Sequence, residues 1–353
     1  MIKPILVSVV VLLGIPGCEL STESKADPLV LDLEPARVSA YGGSDGAIDL
    51  TVTGGTAPYE YAWSTGDTSE DIDHLSAGTY HVAVRDAKAR MAMDSAIVNQ
   101  PPNPLLGRTY HKHVPASYTG VRAVPLVIAL HYYGKDGSFF EEYTGFSDVA
   151  DTAGFIVVYP DATGSPSEWN EGIGITTSTL AVDDVAFISA LIDRFKSNYN
   201  IDANRVFLTG FSSGSVMAHK LAGALASKIA AIGAVSGQAT TAIMNGLHPS
   251  RPVGVIHIHM LDDQSLEYDG GVVNGVPYPA VETVMEKWVA LNNCGTTPAN
   301  FSIGEAVSGR RWTAVGSNAD VVLYTVATGG HSWPTDLVSA TDRIWEFFRE
   351  HPR

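Results

Sequence analysis

Val206-Phe207-Leu208-Thr209-Gly210-Phe211-Ser212-Ser213-Gly214-Ser215-Val216-Met217 is the stretch whose reading decides the fold. Its first four residues are apolar or β-prone without alternation, as in a strand buried on both faces. Gly210-Phe211-Ser212-Ser213-Gly214 then forms a G-x-S-x-G string, and Val216, Met217, Leu221 and Leu225 follow at helical spacing. Strand, tight turn and helix together are the context of a nucleophile elbow, in which a strained turn presents a serine hydroxyl at the end of a strand. Gly210 and Gly214 suit that turn because backbone segments must pack closely around it.

Outward from this point the grammar repeats. Continuous apolar runs occur at Leu126–Leu130, Phe155–Tyr159, Ile229–Val235, Val253–Ile258 and Val321–Tyr324. Helical patterns separate them, with Val185, Ile188, Ile192 and Phe195 on one face and Ile344, Phe347 and Phe348 on another. Alternating strands and helices predict an α/β unit with a mostly parallel sheet covered on both sides, over residues 105–353.

A serine hydroxyl is a weak nucleophile and needs an oriented base. In a fold with this elbow the chain order is serine, acid, histidine. Asp262 and Asp263 follow the strand ending at Ile258-His259-Met260, at the carboxyl edge where sites of open α/β sheets form. His331 lies in Thr328-Gly329-Gly330-His331-Ser332-Trp333-Pro334, after the last apolar run. Ser212, one of the two acids, and His331 are therefore the candidate catalytic residues.

Residues from about 107 to 350 resemble the esterase family that includes polyhydroxybutyrate depolymerases, feruloyl esterases and acetyl xylan esterases, within the α/β hydrolases. Four stretches carry the resemblance: Val127–His131, Val182-Asp183-Asp184-Val185, His257-Ile258-His259 through Asp263 to Tyr268-Asp269-Gly270-Gly271, and Gly329–Pro334. The resemblance implies an α/β-hydrolase fold and acyl-ester hydrolysis without metal or organic cofactor. It makes Asp263 the acid, with Asp262 an exposed neighbour, and Asp184 a tie between helix and loop. It also places an oxyanion loop at His131-Tyr132-Tyr133-Gly134, with the backbone N–H groups of Tyr133 and Ser213 as expected donors. The family usually has glycine after that histidine, where this chain has the bulky Tyr132. Trp169, Asn170, Trp333 and Tyr132, all at the catalytic edge, are the expected substrate-binding residues, since aromatic faces suit a sugar or phenolic ring. His257-x-His259 with Asp262 and Asp263 has the alternation of a metal site. The serine machinery already accounts for the chemistry, so these histidines, and His219 on the helix after the nucleophile, are read as core and loop supports.

The chain before this unit has another texture. Residues 36–100 contain short alternating runs bounded by Gly, Asp and Thr, including Ala47–Thr53, Tyr59–Trp63 and Thr79–Asp86, which predict a small antiparallel sandwich. Gly46 to Thr53 with Gly54-Gly55-Thr56-Ala57-Pro58-Tyr59, Trp63-Ser64-Thr65-Gly66 and Leu75-Ser76-Ala77-Gly78-Thr79-Tyr80 resemble one copy of a repeat found in bacterial gliding adhesins. The loop acids Asp45, Asp49, Asp67, Glu70, Asp71 and Asp73 lack the spacing of a calcium loop and read as solvated charge. Pro101-Pro102-Asn103-Pro104 reads as a stiff hinge over 101–104.

Met1 to Cys18 has one basic residue, a short apolar run and a small-residue end, the pattern of an export signal over 1–17. Its apolar run is about half of the ~20 residues a spanning helix needs. Gly17-Cys18 resembles a bacterial lipobox, which implies lipid attachment at Cys18 and a tether over 18–35. The expected location is therefore exported, either anchored by lipid or released. Cys294 then has no partner and reads as a buried thiol.

The whole chain of 353 residues has 38 acidic and 22 basic side chains, a net charge of −16. That balance repels phosphate backbones and excludes nucleic acid as a partner. The expected partner is an ester-bearing polymer or oligomer, and the only membrane contact expected is through the lipid. Feruloyl or acetyl esters of plant polysaccharide are the first expectation for substrate. A polyester depolymerase is the alternative within the family. From another class, the chain could be a surface adhesion protein whose hydrolase unit is inactive, with the altered oxyanion loop as the motivating feature.

Overall fold

The computed structural model describes residues 27–171 and 182–353. The export segment 1–17 and Cys18 lie outside the described residues. The chain divides into two compact units, Met1–Asn103 and Pro104–Arg353.

The first unit contains β1 (Val30–Ala36), β2 (Gly46–Thr53), β3 (Tyr59–Trp63), β4 (Ile72–Leu75), β5 (Gly78–Asp86) and β6 (Met91–Val98). Two three-stranded antiparallel sheets, β1-β2-β4 and β3-β5-β6, enclose a core of Val38, Ile48, Leu50, Trp63, Ile72, Leu75, Val82, Val84, Ala96 and Val98. The tether expected over 18–35 is corrected by β1, which pairs with β2 from Val30↔Thr53 to Ala36↔Ala47. The reason is alternation within a polar stretch: Leu31 and Leu33 pack against the core while Val30, Asp32 and Glu34 face water. Two of the loop acids serve the backbone. Asp45 Oδ1 accepts from Ser39 N at 3.0 Å, and Asp71 Oδ1 accepts from Leu50 N at 2.9 Å.

The second unit runs β7 (Tyr110–His113), β8 (Val124–Leu130), α1 (Gly137–Thr144), α2 (Phe146–Ala153), β9 (Ile156–Pro160), α3 (Asp184–Asn198), β10 (Ile201–Phe211), α4 (Ser213–Ala224), β11 (Ala231–Val235), α5 (Thr241–Gly246) and β12 (Gly254–Met260). It continues with β13 (Gly271–Val273), β14 (Val276–Tyr278), α6 (Val281–Leu291), β15 (Ala299–Ile303), β16 (Val307–Trp312), β17 (Val321–Val326) and α7 (Ala340–Glu350). Nine strands form one sheet in the order β15-β16-β17-β12-β11-β10-β8-β9-β7. The pairs from β17 through β9 are parallel, and the antiparallel pairs lie at the two edges. This is the α/β-hydrolase arrangement with a mostly parallel sheet.

The apolar runs are continuous because both faces of the sheet are covered. In β8, Leu126, Ile128 and Leu130 join the core formed with α3, α4 and α6. Val127 and Ala129 join the opposite core with α1, α2 and α7. Parallel register then brings the carboxyl ends of β10, β12 and β17 to the same edge, the edge at which the loops bearing Ser212, Asp263 and His331 begin.

Candidate active site

Ser212 sits between β10 and α4 with φ 54° and ψ −119°, a backbone conformation that side chains other than glycine rarely adopt. Close backbone approach holds it there. A Cβ on Gly210 would lie 2.3 Å from the Gly214 carbonyl carbon, and one on Gly214 would lie 2.1 Å from Leu130 O. Gly237, which the sequence pattern did not single out, is needed for the same reason, since its Cβ would lie 2.2 Å from Ser212 O. Ser212 N donates to Val235 O at 3.0 Å, so the elbow is also tied to the neighbouring strand.

Three side chains distant in sequence meet at this turn. His331 Nε2 lies 2.8 Å from Ser212 Oγ, and His331 Nδ1 lies 2.8 Å from Asp263 Oδ2. The other carboxylate oxygen, Asp263 Oδ1, accepts from Ser265 N at 2.9 Å and Leu266 N at 3.0 Å. Burial by itself would raise the Asp263 pKa; the bonds from His331, Leu266 and Ser265 outweigh it and hold this carboxyl below the ordinary range. An ionised Asp263 can only accept, so the hydrogen of a neutral His331 is on Nδ1 and its Nε2 faces the serine as a base. The Phe211 ring packs against the imidazole with centroids 4.9 Å apart.

Asp262 is exposed, as expected, but it also has a structural contact. Its exposed carboxylate accepts from Gly329 N at 3.2 Å and Gly330 N at 2.8 Å, and so holds the loop that carries His331. Sequence reasoning missed this contact. Its available clue was the Gly-Gly pair before the histidine, two N–H groups with no side chain to shield them.

The loop after β8 is anchored through His131, which is fully buried and kept neutral by desolvation. Its Nε2 accepts from Ala162 N at 3.0 Å, its Nδ1 donates to Tyr132 O at 2.8 Å, and its carbonyl accepts from Trp169 Nε1 at 2.8 Å. Gly134 N donates to Ser167 O at 2.8 Å, so Tyr133 lies between two tethered residues. Ser213 opens α4, where the first N–H groups of a helix have no partner within it and carry the positive end of the dipole. Tyr132 takes the place of the usual glycine with its ring among Phe139, Tyr143 and Phe211, at centroid distances of 5.1 to 5.9 Å. The bulky side chain is accommodated by these aromatic neighbours.

Two expected substrate-binding residues, Trp169 and Trp333, are corrected. Trp169 is 1% exposed and bonded to His131 O, so it supports the loop from beneath. Trp333 is 4% exposed, packed edge-on against Phe140 and Phe146, with Nε1 donating to Thr341 Oγ1 at 3.0 Å. Indoles adjacent to a site in sequence were drawn instead into the core, where their large apolar area is best buried. Asn170 is used in local structure: its N donates to Asp184 Oδ2 and its Nδ2 to Val182 O, each at 2.7 Å. Tyr132 remains half-buried beside Phe211.

Asp184 ties helix to loop. It is buried at the start of α3, paired with Arg108 Nη2 at 2.7 Å as well as with Asn170 N. His219, His257 and His259 are all buried within the unit. Among the described residues, no group of three or more His, Cys, Asp or Glu is placed to hold a metal ion. Cys294 is a partly buried free thiol whose pKa is pushed up to about 11 by burial.

Comparison with known proteins finds similarity in both units. Residues 109–257 match the family described as esterase PHB depolymerase, and residues 38–68 match the SprB repeat. A bifunctional acetylxylan esterase/xylanase of Neocallimastix patriciarum is 32% identical over 162 residues, 46% of this chain and 22% of that protein. The chain thus spans about a fifth of the length of that relative. Feruloyl esterase C of Emericella nidulans is 28% identical over 258 residues, 70% of this chain and 85% of the relative. An acetyl xylan esterase from Aspergillus awamori superposes with a TM-score of 0.55 at 17% identity, covering 71% of this chain and 96% of that one, which supports the fold. The unit Pro104–Arg353 is therefore an α/β-hydrolase esterase, a carboxylic ester hydrolase similar over residues 109–257 to the polyhydroxybutyrate depolymerase family and, over longer stretches, to feruloyl and acetyl xylan esterases, and a match to the SprB repeat precedes it in the chain.

Proposed function

We propose that this chain is a serine esterase that cleaves feruloyl or acetyl esters of plant polysaccharide through an acyl-enzyme. The observation that carries the reading is the continuous line from Ser212 Oγ to His331 Nε2 and from His331 Nδ1 to Asp263 Oδ2, each step 2.8 Å, at a strained elbow. Ser212 Oγ attacks the ester carbonyl carbon while its proton passes to His331 Nε2. The resulting oxyanion is held by the N–H groups of Ser213 and Tyr133. As the intermediate collapses, His331 gives the proton to the leaving alcohol oxygen and Ser212 keeps the acyl group. Water then attacks the acyl-enzyme and loses its proton to His331. Collapse of this second intermediate releases the carboxylic acid and restores the Ser212 hydroxyl. Asp263 remains ionised and holds the imidazole tautomer throughout.

Among acyl groups, the half-buried aromatic cluster of Tyr132, Phe139 and Tyr143 favours a planar phenolic group over acetyl. Phe211 links this cluster to His331. The match to the polyhydroxybutyrate depolymerase family supports polyester cleavage as the second reading. Chemistry is assigned to 104–353 alone, so a chain beginning at Pro104 is expected to keep its activity on soluble esters. By this reading the protein is exported, and is either anchored by lipid on Cys18 or released. Among the described residues no helix is long and apolar enough to cross a membrane.

A fluorophosphonate probe should label the wild-type chain and not Ser212→Ala. Absence of labelling on folded wild type would leave the adhesion reading with an inactive hydrolase unit. Initial rates on ferulate, acetate, hydroxybutyrate and terephthalate esters then rank the substrates. A hydroxybutyrate preference would transfer the assignment to the depolymerase.

A further inference from the structure

Beneath Asp263 the fold buries three imidazoles that acyl transfer does not use, His257 and His259 on β12 and His219 on α4. Their protons follow from their partners. Leu266 O can only accept, so His259 Nε2, 2.8 Å away, carries the hydrogen. Burial keeps the ring neutral, which makes His259 Nδ1 a lone pair that accepts from His257 Nε2 at 3.0 Å. His257 Nδ1 is then also a lone pair, buried and without a partner among the described residues. At the other end, Trp288 Nε1 can only donate, and does so to His219 Nδ1 at 3.0 Å. That leaves the hydrogen on His219 Nε2, also buried and without a partner among the described residues.

One orphaned atom is an acceptor and the other a donor, on stacked rings whose centroids are 5.7 Å apart. Each carries a desolvation cost that one shared bridge would remove. We propose that His219, His257 and His259 form a one-way hydrogen-bond relay, closed by a water between His219 Nε2 and His257 Nδ1, that positions Asp263. Every N–H in the relay points toward the turn of the acid, from Trp288 through His219 and His257 to His259. His259 Nε2 holds Leu266 O and also lies 3.5 Å from Asp263 Oδ2. The N–H of the same Leu266 bonds Asp263 Oδ1 at 3.0 Å, so the relay fixes the residue that fixes the carboxylate. Aligned donors in a low-dielectric interior polarise one another, which strengthens the last bond of the series. The three histidines are positioning residues, since none touches Ser212 or His331 in a hydrogen bond.

The positioning role rests on the triad reading above, but the tautomers do not. Long-range proton–nitrogen NMR of the full chain at neutral pH should show all three rings with hydrogen on Nε2 alone. Hydrogen on His257 Nδ1, or on both of its nitrogens, would overturn the relay whatever Ser212 does. His257→Leu should lower kcat by about tenfold, the rate equivalent of one hydrogen bond's net contribution. Its KM should stay within about twofold, because substrate is not touched. His257→Gln, which keeps a donor and an acceptor, should recover most of the loss. A folded Leu variant with wild-type kcat, or a Gln variant as slow as Leu, would overturn the positioning role. Should the Leu variant not fold, the Gln variant decides, wild-type-like kcat supporting the role and a large loss opposing it. An active Ser212→Ala chain with all three tautomers in place would instead fault the triad.

Discussion

Asp262 accepts the backbone N–H of Gly330 at 2.8 Å, one residue before His331, while its neighbour Asp263 bonds the imidazole itself. Consecutive carboxylates therefore hold the same histidine in two ways, one through its loop and the other through its ring. Asp263→Asn should reduce kcat by about four orders of magnitude, because an amide can donate to the ring and reverse its tautomer. Asp262→Asn keeps one oxygen for the loop and should cost about tenfold or less, the scale of one exposed hydrogen bond. Steady-state kinetics on a soluble nitrophenyl ester compare the two, and the reverse order of damage would move the acid to Asp262.

Ser212 combines reactivity with backbone strain, at φ 54° and ψ −119°. Ser212→Ala should lower turnover by several orders of magnitude with the fold intact, since triad members act as a unit. Ser212→Gly should be equally inactive yet more stable, by about 1 kcal/mol, because glycine adopts this conformation at little cost. Thermal unfolding reads the difference as a rise of roughly 2–4 °C. A Gly variant no more stable than Ala would mean that the elbow is not strained.

The pair Arg108 and Asp184 is almost entirely withdrawn from solvent, with side chains 8% and 0% exposed. Asp184→Ala should destabilise the second unit by about 3–5 kcal/mol, because it leaves a buried guanidinium without its partner. Urea unfolding measures this. Replacing both residues by apolar side chains of similar volume should recover part of the loss. A single variant within about 1 kcal/mol of wild type would show that water reaches Arg108.

Asp320 supplies an acid-sensitive term far from the nucleophile in sequence. Burial opposes its charge, but His351, the N–H of Ala314 and Arg311 outweigh that and bring its pKa down to about 2. The folded value lies below the unfolded one, so this carboxylate stabilises the fold fully above about pH 4 and progressively less as pH falls toward 2. The contribution at neutral pH is about 2 kcal/mol. Asp320→Asn should flatten the stability curve across that window. An unchanged acid limb in urea titrations at pH 2 to 5 would refute the assignment.

The amino-acid sequence by itself determined the elements that local pattern encodes. Continuous apolar runs can be satisfied only by strands covered on both faces, and glycines at 210 and 214 mark a turn too tight for side chains. The order of Ser212, an acid at 262 or 263, and His331, each after a buried strand, was readable for the same reason, while the choice of Asp263 came from the family resemblance. Tertiary structure decided what depends on neighbours remote in the chain. Gly237 is required only because Ser212 O lies against it, and Trp169 and Trp333 are core residues only because His131, Phe140 and Phe146 surround them. Val30–Ala36 is a strand because β2 offers it a ladder and the sandwich core takes Leu31 and Leu33. The direction of the buried histidine bonds likewise follows from Leu266 O at one end and Trp288 Nε1 at the other. Pattern along a chain records which residues avoid water, whereas the partner each one meets is set by packing.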